Sequence, residues 1–561
     1  MSQTDPHAGT AAPRHEGALL AALATLAFVL RFARWERAVV LFNDGPVFLA
    51  LAERSAEGAF DVLLQHPFHP LYPLAIAAMH ALGAPFGLGF ETAGALVSAL
   101  AGSAAVLAIY ALVRAAFGAR EALVAAALLA TQAAAIHVGG NVQSESLYLA
   151  LFLGSAAALW RATSDGRPLA GLTAGALSGL AYLTRPEGLG LALVGIALLG
   201  WRAIRGQVPW ARAVRTGVAI GLGAAVFAAP YIAALSIRSG ELTLTRKKSV
   251  GWIVGTEGHA GSGGLATGQP GMEAPKLVAE APAPSTPEPA PASEGTAGAA
   301  PPARDPLDSL VAPPWTARAA PAALVDLVRD GVSAIRPELL PLVLLGLFLL
   351  RRRPSKRGGF FAALCGAYGL LLFALAVNVG YVSERHLLPV LLLLLGYGAV
   401  GTLWLGERAA RLGGAEPSAA RTRAFTLAIL ALVTAVALGK TLRKPDGLED
   451  LAERRAAEWV RERAPGSVVA ARKRRVAYYA GGPFCQLRPR TAYSFEVYFR
   501  NHGVRYVVVN ADDIDDYVGL DDLIGSRLTE IHRVEEAGET AFVYAVQPRA
   551  AHAVSASGGG P

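Results

Sequence analysis

Long apolar runs separated by short polar segments are the dominant pattern along this 561-residue chain. A run of about 20 residues has the length that a helix needs to cross ~30 Å of hydrocarbon. Eleven such spans are predicted, at 17–36, 91–113, 121–138, 143–160, 168–184, 187–201, 214–236, 336–350, 359–379, 387–404 and 424–440. They predict an all-α polytopic membrane protein, and a composition that is 53% hydrophobic and only 17% charged excludes a soluble one.

The positions of the arginines orient these spans, because loops on the cytoplasmic side carry an excess of Lys and Arg. Arginine-rich loops at 114–120, 161–167, 202–215, 351–357 and 408–423 alternate correctly for one face. The outer face then receives 37–90, 139–142, 185–186, 237–335, 380–386 and everything after 440. We therefore expect a multi-pass protein of the cytoplasmic (inner) membrane. Its formal net charge of +8 lies mainly in these loops and does not indicate a nucleic-acid partner.

All of these arginine-rich loops lie on the cytoplasmic side only if the proline-rich segment Pro67–Leu88 does not cross the membrane. If it did cross, four arginine-rich loops would move to the outer face. An interfacial or re-entrant helix is the prediction for this segment.

Composition divides the chain further. The predicted divisions are a disordered cytoplasmic N-terminus (1–16), a transmembrane catalytic module with an external first loop (17–256, loop 37–90), a disordered Ala/Pro/Gly-rich external loop (257–320), C-terminal transmembrane helices (321–444), an extracytoplasmic α/β domain (445–548) and a disordered tail (549–561). In the α/β domain we predict a helix at 448–464 and strands at 467–471, 476–480, 503–510 and 541–546.

Few charged side chains fall at the predicted outer face, and these are the candidate functional residues. They are Asp44 after span one, Glu145 at the start of span four, Arg185 and Glu187 between spans five and six, Lys247 and Lys248 after span seven, and Arg385 between spans nine and ten. Carboxylates beside cations suit transfer of a sugar from a lipid phosphate. One carboxylate would take the proton of the acceptor, and a cation would stabilise the departing phosphate.

Each candidate also has a purely structural interpretation. Asp44 could cap the helix that Pro46 begins, and Glu145 could be a solvated first-turn acid. Arg185 and Glu187 could anchor a hairpin, Arg385 could pair with its neighbour Glu384, and the lysines could form a surface cluster. His66 and His69 could ligate a metal ion, but the sequence offers no third ligand near them.

Several short motifs occur in an order that is typical of one family. Arg31 near the end of span one precedes Asp44. Then follow His69-Pro70-Leu71-Tyr72-Pro73, Phe117-Gly118-Ala119-Arg120, Glu145, Gly179–Gly188 and Glu384-Arg385-His386-Leu387-Leu388-Pro389. In these motifs the chain resembles the polytopic glycosyltransferases of the GT-C fold that use lipid-phosphate sugars. Among them it is most similar to the dolichyl-phosphate-mannose protein mannosyltransferase-like family, relatives of the lipid A aminoarabinose transferase.

The resemblance implies a membrane glycosyltransferase that moves a sugar from a polyprenyl-phosphate donor to an extracytoplasmic protein, glycan or lipid, with membrane lipids around it. Asp44 would be the general base and Glu145 a second catalytic acid. The predicted substrate contacts are Arg31, His69, Tyr72, Arg185, Glu187, Lys247, Lys248 and Arg385.

Members of that family often have a second acid after the first, whereas Gly45 follows Asp44 here. The metal site is therefore unknown, no cofactor is certain, and a divalent cation stays open. Two alternatives also remain open: a transporter or flippase of lipid-linked saccharides, and a C-terminal binding module for which the membrane part is the anchor.

Overall fold

A computed structural model describes residues 15–247, 320–351, 356–379, 382–412, 418–441, 443, 445, 447–487, 492–517 and 519–547. The predicted N-terminal segment before residue 15, the external loop between 248 and 319 and the tail after 547 lie outside the described residues. The described residues fall into two compact units, one within 15–247 and 320–445 and the other within 447–547.

The described part of the first unit is built from helices. In chain order these are α1 (Glu16–Glu36), α2 (Gly45–Ala56), α3 (Val62–Gln65), α4 (Leu71–Gly83), α5 (Phe90–Ala116), α6 (Ala119–Thr131), α7 (Ala133–Gly139), α8 (Glu145–Asp165), α9 (Pro168–Thr184), α10 (Leu189–Ile204), α11 (Trp210–Ser239), α12 (Ala320–Ile335), α13 (Leu340–Leu350), α14 (Lys356–Val379), α15 (Glu384–Leu393), α16 (Leu395–Ala410) and α17 (Ala419–Thr441).

Among the described residues, six helices are long and apolar enough to cross a membrane: α1, α5, α10 with the turn before it, α11, α14 and α17. Three bent pairs bring the number to nine if each pair is one span: α6 with α7 and α15 with α16, both bent by 58°, and α12 with α13, bent by 105°. The predicted spans at 143–160 and 168–184 are helical, as α8 and α9, but neither is among these six helices, and α9 with 17 residues is shorter than each of them. Length and composition thus support six to nine spans in the described residues, and the count of eleven stays a prediction.

Helix α4 occupies the proline-rich segment that was predicted not to cross the membrane. The apolar helical stretch is Leu71–Phe86, and it is shorter than the six spanning helices. At 1.5 Å per residue it covers about 24 Å, which is less than the hydrocarbon thickness.

Small residues allow α9 and α11 to pack closely. A Cβ atom at Gly175 would lie 2.0 Å from the carbonyl oxygen of Ile220, and one at Gly223 would lie 2.3 Å from that of Leu172. Because no side chain fits there, the two helix backbones approach directly, as is common between membrane helices. This contact fixes α9, whose C-terminal end carries the Arg185 hairpin.

The second unit has an α/β fold with helices α18 (Leu451–Arg463), α19 (Arg474–Ala480), α20 (Ala492–Asn501) and α21 (Ala511–Ile514), and strands β1 (Val469–Ala471), β2 (Phe484–Gln486), β3 (Tyr506–Asn510), β4 (Leu528–Glu536) and β5 (Glu539–Val546). The strand order is β2-β1-β3-β5-β4. Strands β2, β1 and β3 are parallel to one another, whereas β5 is antiparallel to both β3 and β4.

The prediction of a strand at 476–480 was wrong, because this segment belongs to helix α19. Strands β2 and β4 were not predicted. A short apolar run does not distinguish a strand from a buried helix by periodicity alone. Here the run Val476-Ala477-Tyr478-Tyr479-Ala480 forms the helix that connects two parallel strands.

Candidate functional site

Asp44, Glu145 and Arg385 meet at one end of the helical unit. Arg385 Nη1 lies 3.1 Å from Asp44 Oδ2 and 3.3 Å from Glu145 Oε1. The three residues come from three segments that are far apart in the sequence, and all three segments were predicted to lie at the outer face. One guanidinium therefore joins the two carboxylates that sequence reasoning had selected as catalytic.

The cluster continues from Glu145 through three further charges. Arg185 Nη1 lies 2.8 Å from Glu145 Oε1, and Arg185 Nε lies 3.6 Å from Glu187 Oε2. Lys247 Nζ lies 3.9 Å from Glu187 Oε1. Acids and bases thus alternate along a continuous row from Asp44 to Lys247, which we call the ion-pair row.

Asp44 stands at the N-terminus of α2, but its side chain makes no capping hydrogen bond to that helix. Its Oδ2 instead accepts a hydrogen bond from Arg385 Nη1. The helix dipole favours a carboxylate at this end. The geometry therefore differs from the interpretation of Asp44 as a simple helix cap, and Asp44 keeps a partly exposed carboxylate (24%) beside a cation.

Glu145 begins α8, yet it is 4% exposed and so differs from a solvated first-turn acid. A buried carboxylate is stable only when it is paired and hydrogen-bonded. Arg185 and Arg385 provide that pairing from two sides. Glu145 in turn fixes the position of both guanidinium groups.

Arg185 and Glu187 do form a tight hairpin, and they also belong to the ion-pair row. A Cβ at Gly188 would lie 2.4 Å from the backbone of Ala181 and Tyr182, so the turn between α9 and α10 leaves no space for a side chain. Ser178 Oγ donates to the carbonyl of Gly188 at 2.8 Å. A rigid turn therefore presents the two buried charged side chains.

Arg385 is in the first turn of α15 and does not pair with its neighbour. Glu384 lies instead 3.8 Å from Arg336 and accepts a hydrogen bond from Ser333. Arg385 Cζ also stands 4.9 Å from the ring centroid of Phe42, a cation–π contact that orients the guanidinium.

His69 contacts the segment that carries Lys247. His69 Nε2 is 3.0 Å from Thr245 Oγ1, and Tyr182 donates from its hydroxyl to the carbonyl of Leu244. Burial lowers the pKa of His69 to about 4, although the Glu187 carboxylate opposes this change. The imidazole is therefore neutral at pH 7 and positions residues 244–247 rather than contacting the carboxylates. Lys248, the other predicted lysine, lies outside the described residues.

Two predicted substrate contacts lie apart from the ion-pair row. Arg31 donates to the carbonyls of Ala27 at 3.0 Å, Ala130 at 3.3 Å and Leu129 at 3.4 Å. Tyr72 is fully buried, and its hydroxyl is 2.6 Å from Ser98 Oγ. The geometry gives both side chains structural partners.

Sequence reasoning missed two residues beside the ion-pair row. Arg185 Cζ lies 5.8 Å from the ring centroid of Tyr148, one helical turn after Glu145, and that spacing was the available signal. Gln143 is 1% exposed, and within the described residues neither atom of its carboxamide has a hydrogen-bond partner. No pattern in the sequence indicates that Gln143 is buried.

The arrangement does not fit a metal ion bridging Asp44 and Glu145, because Arg385 stands between the two carboxylates. In the part of the chain that the structure describes, no group of three or more His, Cys, Asp or Glu side chains converges as metal ligands do. The cluster can instead bind an anion with its cations and accept a proton on a carboxylate.

Comparisons with known proteins agree with this architecture. Residues 65–232 match the family model described as dolichyl-phosphate-mannose-protein mannosyltransferase. The archaeal oligosaccharyltransferase AglB from Archaeoglobus fulgidus is similar in structure, with a TM-score of 0.57 and 14% identity over 90% of this chain and 70% of that one. ArnT from Cupriavidus metallidurans gives a TM-score of 0.56 with 12% identity, over 95% of this chain and 98% of that one. The search of curated proteins gave no match.

The fold is therefore that of the GT-C glycosyltransferases. The resemblance to the dolichyl-phosphate-mannose protein mannosyltransferases is confirmed by the family match over residues 65–232.

Proposed function

We propose that the protein is an integral membrane glycosyltransferase that moves a sugar from a polyprenyl-phosphate donor to an acceptor outside the cytoplasmic membrane. The observation that carries this proposal is the contact of one arginine with two carboxylates, Arg385 with Asp44 and Glu145. The AglB structure was obtained with a dolichol-phosphate and an inhibitory peptide, and the ArnT structure with undecaprenyl phosphate. A lipid phosphate is the ligand common to both.

Arg385 is the proposed phosphate contact. A guanidinium has five N–H donors in a planar fork that matches phosphate oxygens. Its Nη1 is shared between Asp44 and Glu145, and its side chain is 23% exposed. A donor phosphate arriving at Arg385 would compete with Asp44 for this guanidinium and release the Asp44 carboxylate toward the acceptor.

Asp44 is the proposed general base. The oxygen or nitrogen of the acceptor attacks C1 of the sugar while Asp44 takes its proton. The bond between C1 and the phosphate oxygen breaks, and its electron pair stays with that oxygen, so polyprenyl phosphate leaves. Arg385 stabilises the negative charge that develops on the phosphate. Attack opposite the leaving group inverts the configuration at C1.

Glu145, Arg185 and Glu187 are proposed to hold the phosphate contacts in place. Glu145 is buried and contacts the same Arg385 nitrogen, Nη1, as Asp44 does. Arg185 and Glu187 extend the ion-pair row to Lys247, whose pKa is lowered by burial although Glu187 opposes this change. A second cation at this end would contact the same phosphate or the sugar.

Membrane placement follows from the same assignment. The ion-pair row draws on five segments whose charged residues were all predicted at the outer face, in loops or at the outer ends of spans. A chain inserted the other way would place all of them in the cytoplasm, so we propose that the row faces the outer side of the cytoplasmic membrane.

The test is sugar transfer in proteoliposomes that contain a radiolabelled polyprenyl-phosphate sugar, with mannose and aminoarabinose as the two donors. Envelope fractions from a strain lacking the protein supply the acceptors. Asp44→Asn keeps the shape of the side chain but removes the base, so we expect transfer to fall by about 10²–10⁴-fold. Asp61→Asn is the matched control, because Asp61 lies in the same predicted loop and its exposed carboxylate accepts a hydrogen bond from Gln65.

Equal transfer by wild type and Asp44→Asn would remove Asp44 from the mechanism. Movement of the labelled lipid between leaflets by the wild type, without any transfer, would favour the flippase alternative.

A further inference from the structure

The parallel part of the sheet in the second unit contains a reversal of strand order. The chain passes from β1 through α19 to β2 on one side of β1, and then through α20 to β3 on the other side. In open α/β sheets a ligand binds in the crevice outside the carboxyl ends of the strands at such a reversal. Here that position is at the carboxyl ends of β1 and β3, and we call it the switch crevice.

Polar residues follow both strands at the switch crevice. Arg472 and Lys473 come directly after β1, and Asn510 is the last residue of β3. Arg472 pairs with Asp513 of α21 and, at 3.2 Å, with Asp516. The two strand ends are therefore connected by charged side chains rather than by apolar packing.

Glu453 enters the same place from helix α18. It is on the buried face of that helix with Ala456 and Ala457, and α18 packs on β3. Its Oε2 lies 3.5 Å from Lys473 Nζ. Asp513 is close enough to influence the pKa of Glu453, which burial raises although Lys473 opposes the rise. Glu453 thus lies between the residues that follow β1 and those that follow β3.

Asn510 faces the α18 side of the sheet. Successive side chains of a strand point to opposite faces, so Asn510 shares a face with Val508. Val507 and Val509 belong to the apolar core formed with Phe495 of α20, on the other face. Asn510 and Glu453 therefore approach the switch crevice from the same layer.

Both residues retain unused hydrogen-bond acceptors. Glu453 is 1% exposed and Asn510 is 7% exposed. Within the described residues, Glu453 Oε1 and Asn510 Oδ1 have no hydrogen-bond partner, and Glu453 Oε2 has only the 3.5 Å ion-pair contact with Lys473. Buried acceptors without a donor are costly and rare, so they indicate a donor supplied from outside the chain.

The surrounding charges limit the chemical class of that donor. The cations are already compensated by carboxylates, since Lys473 contacts Asp450 and Arg475 contacts the same residue. The two cations of the switch crevice, Arg472 and Lys473, are each paired with an acid, so a phosphate would have to compete with those acids. A ligand with several hydroxyl groups fits better, because each hydroxyl donates to an acceptor such as Glu453 or Asn510 and also accepts from Arg or Lys.

We propose that the switch crevice is a second binding site that takes the hydroxyl groups of a neutral saccharide. Glu453 and Asn510 accept from adjacent sugar hydroxyls, while Lys473 and Arg472 donate to the oxygens of the same groups. The Arg472 side chain is 46% exposed and is accessible to the sugar. Both acceptors of this site lie in the second unit, whereas the residues of the ion-pair row lie in the first.

The test is saccharide binding to the full-length protein in lipid nanodiscs, measured by saturation-transfer NMR. The probes are mannose, galactose and arabinose, with mannose 6-phosphate and spermidine for comparison. We expect the neutral sugars to bind, and Glu453→Gln and Asn510→Leu each to weaken binding at least about tenfold. Glu462→Gln is the matched control, because it makes the same change on the same helix at an exposed side chain. Asp44→Asn should leave this binding unchanged.

The melting temperature of each variant separates a binding effect from misfolding. Asn510→Leu removes the unpartnered buried Oδ1 atom, so we expect little loss of stability in the folded state. Absence of neutral-sugar binding to a folded wild type would overturn the proposal. So would preference for mannose 6-phosphate or spermidine, or unchanged binding in both variants.

Discussion

Two arginines at the same end of the helical unit, Arg31 and Arg385, were both predicted to contact substrate, and their surroundings differ. Arg31 is 1% exposed and donates hydrogen bonds to three backbone carbonyls. Arg385 is partly exposed and faces the carboxylates of Asp44 and Glu145. Arg31 donates to carbonyls at the end of helix α6. Arg385 is held by carboxylates, which a phosphate can replace as its partner.

The hydrogen-bond partners of Arg31 explain why a buried cation is kept within helix α1. Helix α6 ends at Thr131, and its last carbonyls lose their regular intrahelical donors where the chain bends by 58° into α7, with Leu129 accepting from Gln132 N at 3.4 Å instead. Arg31 donates to two of those carbonyls, on Leu129 and Ala130. Gly102 contributes the space, because a Cβ there would lie 2.3 Å from Arg31 Nε. The comparison teaches that the type of partner, not burial, separates a structural cation from a functional one.

Between the two arginines, the larger expected effect on sugar transfer is that of Arg385→Gln. Glutamine cannot stabilise the departing phosphate, so we expect the rate to fall by about 10²–10³-fold with little change in melting temperature. The readout is kcat and donor KM in the proteoliposome assay. An unchanged kcat/KM would show that the phosphate binds elsewhere.

Arg31→Gln should instead lower the stability of the protein and leave sugar transfer unchanged. It removes the donors of two carbonyls at the α6–α7 bend, and we expect a loss of stability of about 2 kcal/mol. Thermal unfolding in nanodiscs measures that loss, while kcat per folded molecule should stay at the wild-type level. Lost activity with an unchanged melting temperature would place Arg31 among the substrate contacts.

A smaller effect is expected from pH at His69. The pKa of this buried imidazole is lowered from 6.5 to about 4. Above pH 6.5 both folded and unfolded states are neutral here. As the pH falls from 6.5 toward 4, the unfolded state binds a proton that the folded state does not, so stability decreases. At pH 5.5 the loss is about 1 kcal/mol.

Comparison of wild type with His69→Gln isolates this contribution from other titrating groups. Between pH 7 and pH 5.5 the melting temperature of the variant should fall by less than that of the wild type. Hydrogen exchange of residues 244–247 should likewise increase less in the variant than in the wild type. Equal pH dependence in both proteins would mean that His69 is not kept neutral by burial.

The smallest expected effect is that of chelation. Arg385 stands between Asp44 and Glu145, which would otherwise be the ligands of a divalent cation. Treatment with EDTA should therefore leave sugar transfer unchanged within error. A loss of activity that added Mg²⁺ or Mn²⁺ restores would contradict this placement of Arg385.

The sequence predicts the grouping of Asp44, Glu145, Arg185 and Arg385 because charged residues are rare at membrane helix ends. Arginine counts assign each loop to a side, and only a few outer positions then remain for ionisable groups. These residues do meet in the structure. Their order along the ion-pair row was not predictable, because it depends on how distant helices pack.

Other features could not be predicted from the sequence because they also depend on how the chain folds. The carbonyl partners of Arg31 lie in a helix bend that no local pattern marks. The helix at Arg474–Ala480 contains an apolar run that fits a strand equally well. Buried Gln143 and Asn510 are ordinary loop and strand-end residues in the sequence. Only the fold reveals that, within the described residues, the Gln143 carboxamide and the Asn510 Oδ1 lack hydrogen-bond partners.

The central claim is that Asp44 faces the outer side of the membrane in a site that binds a lipid phosphate. The most direct measurement is labelling of Asp44→Cys with a membrane-impermeant maleimide, in a variant that lacks Cys365 and Cys485. We predict labelling in right-side-out vesicles but not in inside-out vesicles, and slower labelling when undecaprenyl phosphate is present. Labelling from the cytoplasmic side alone would contradict the account.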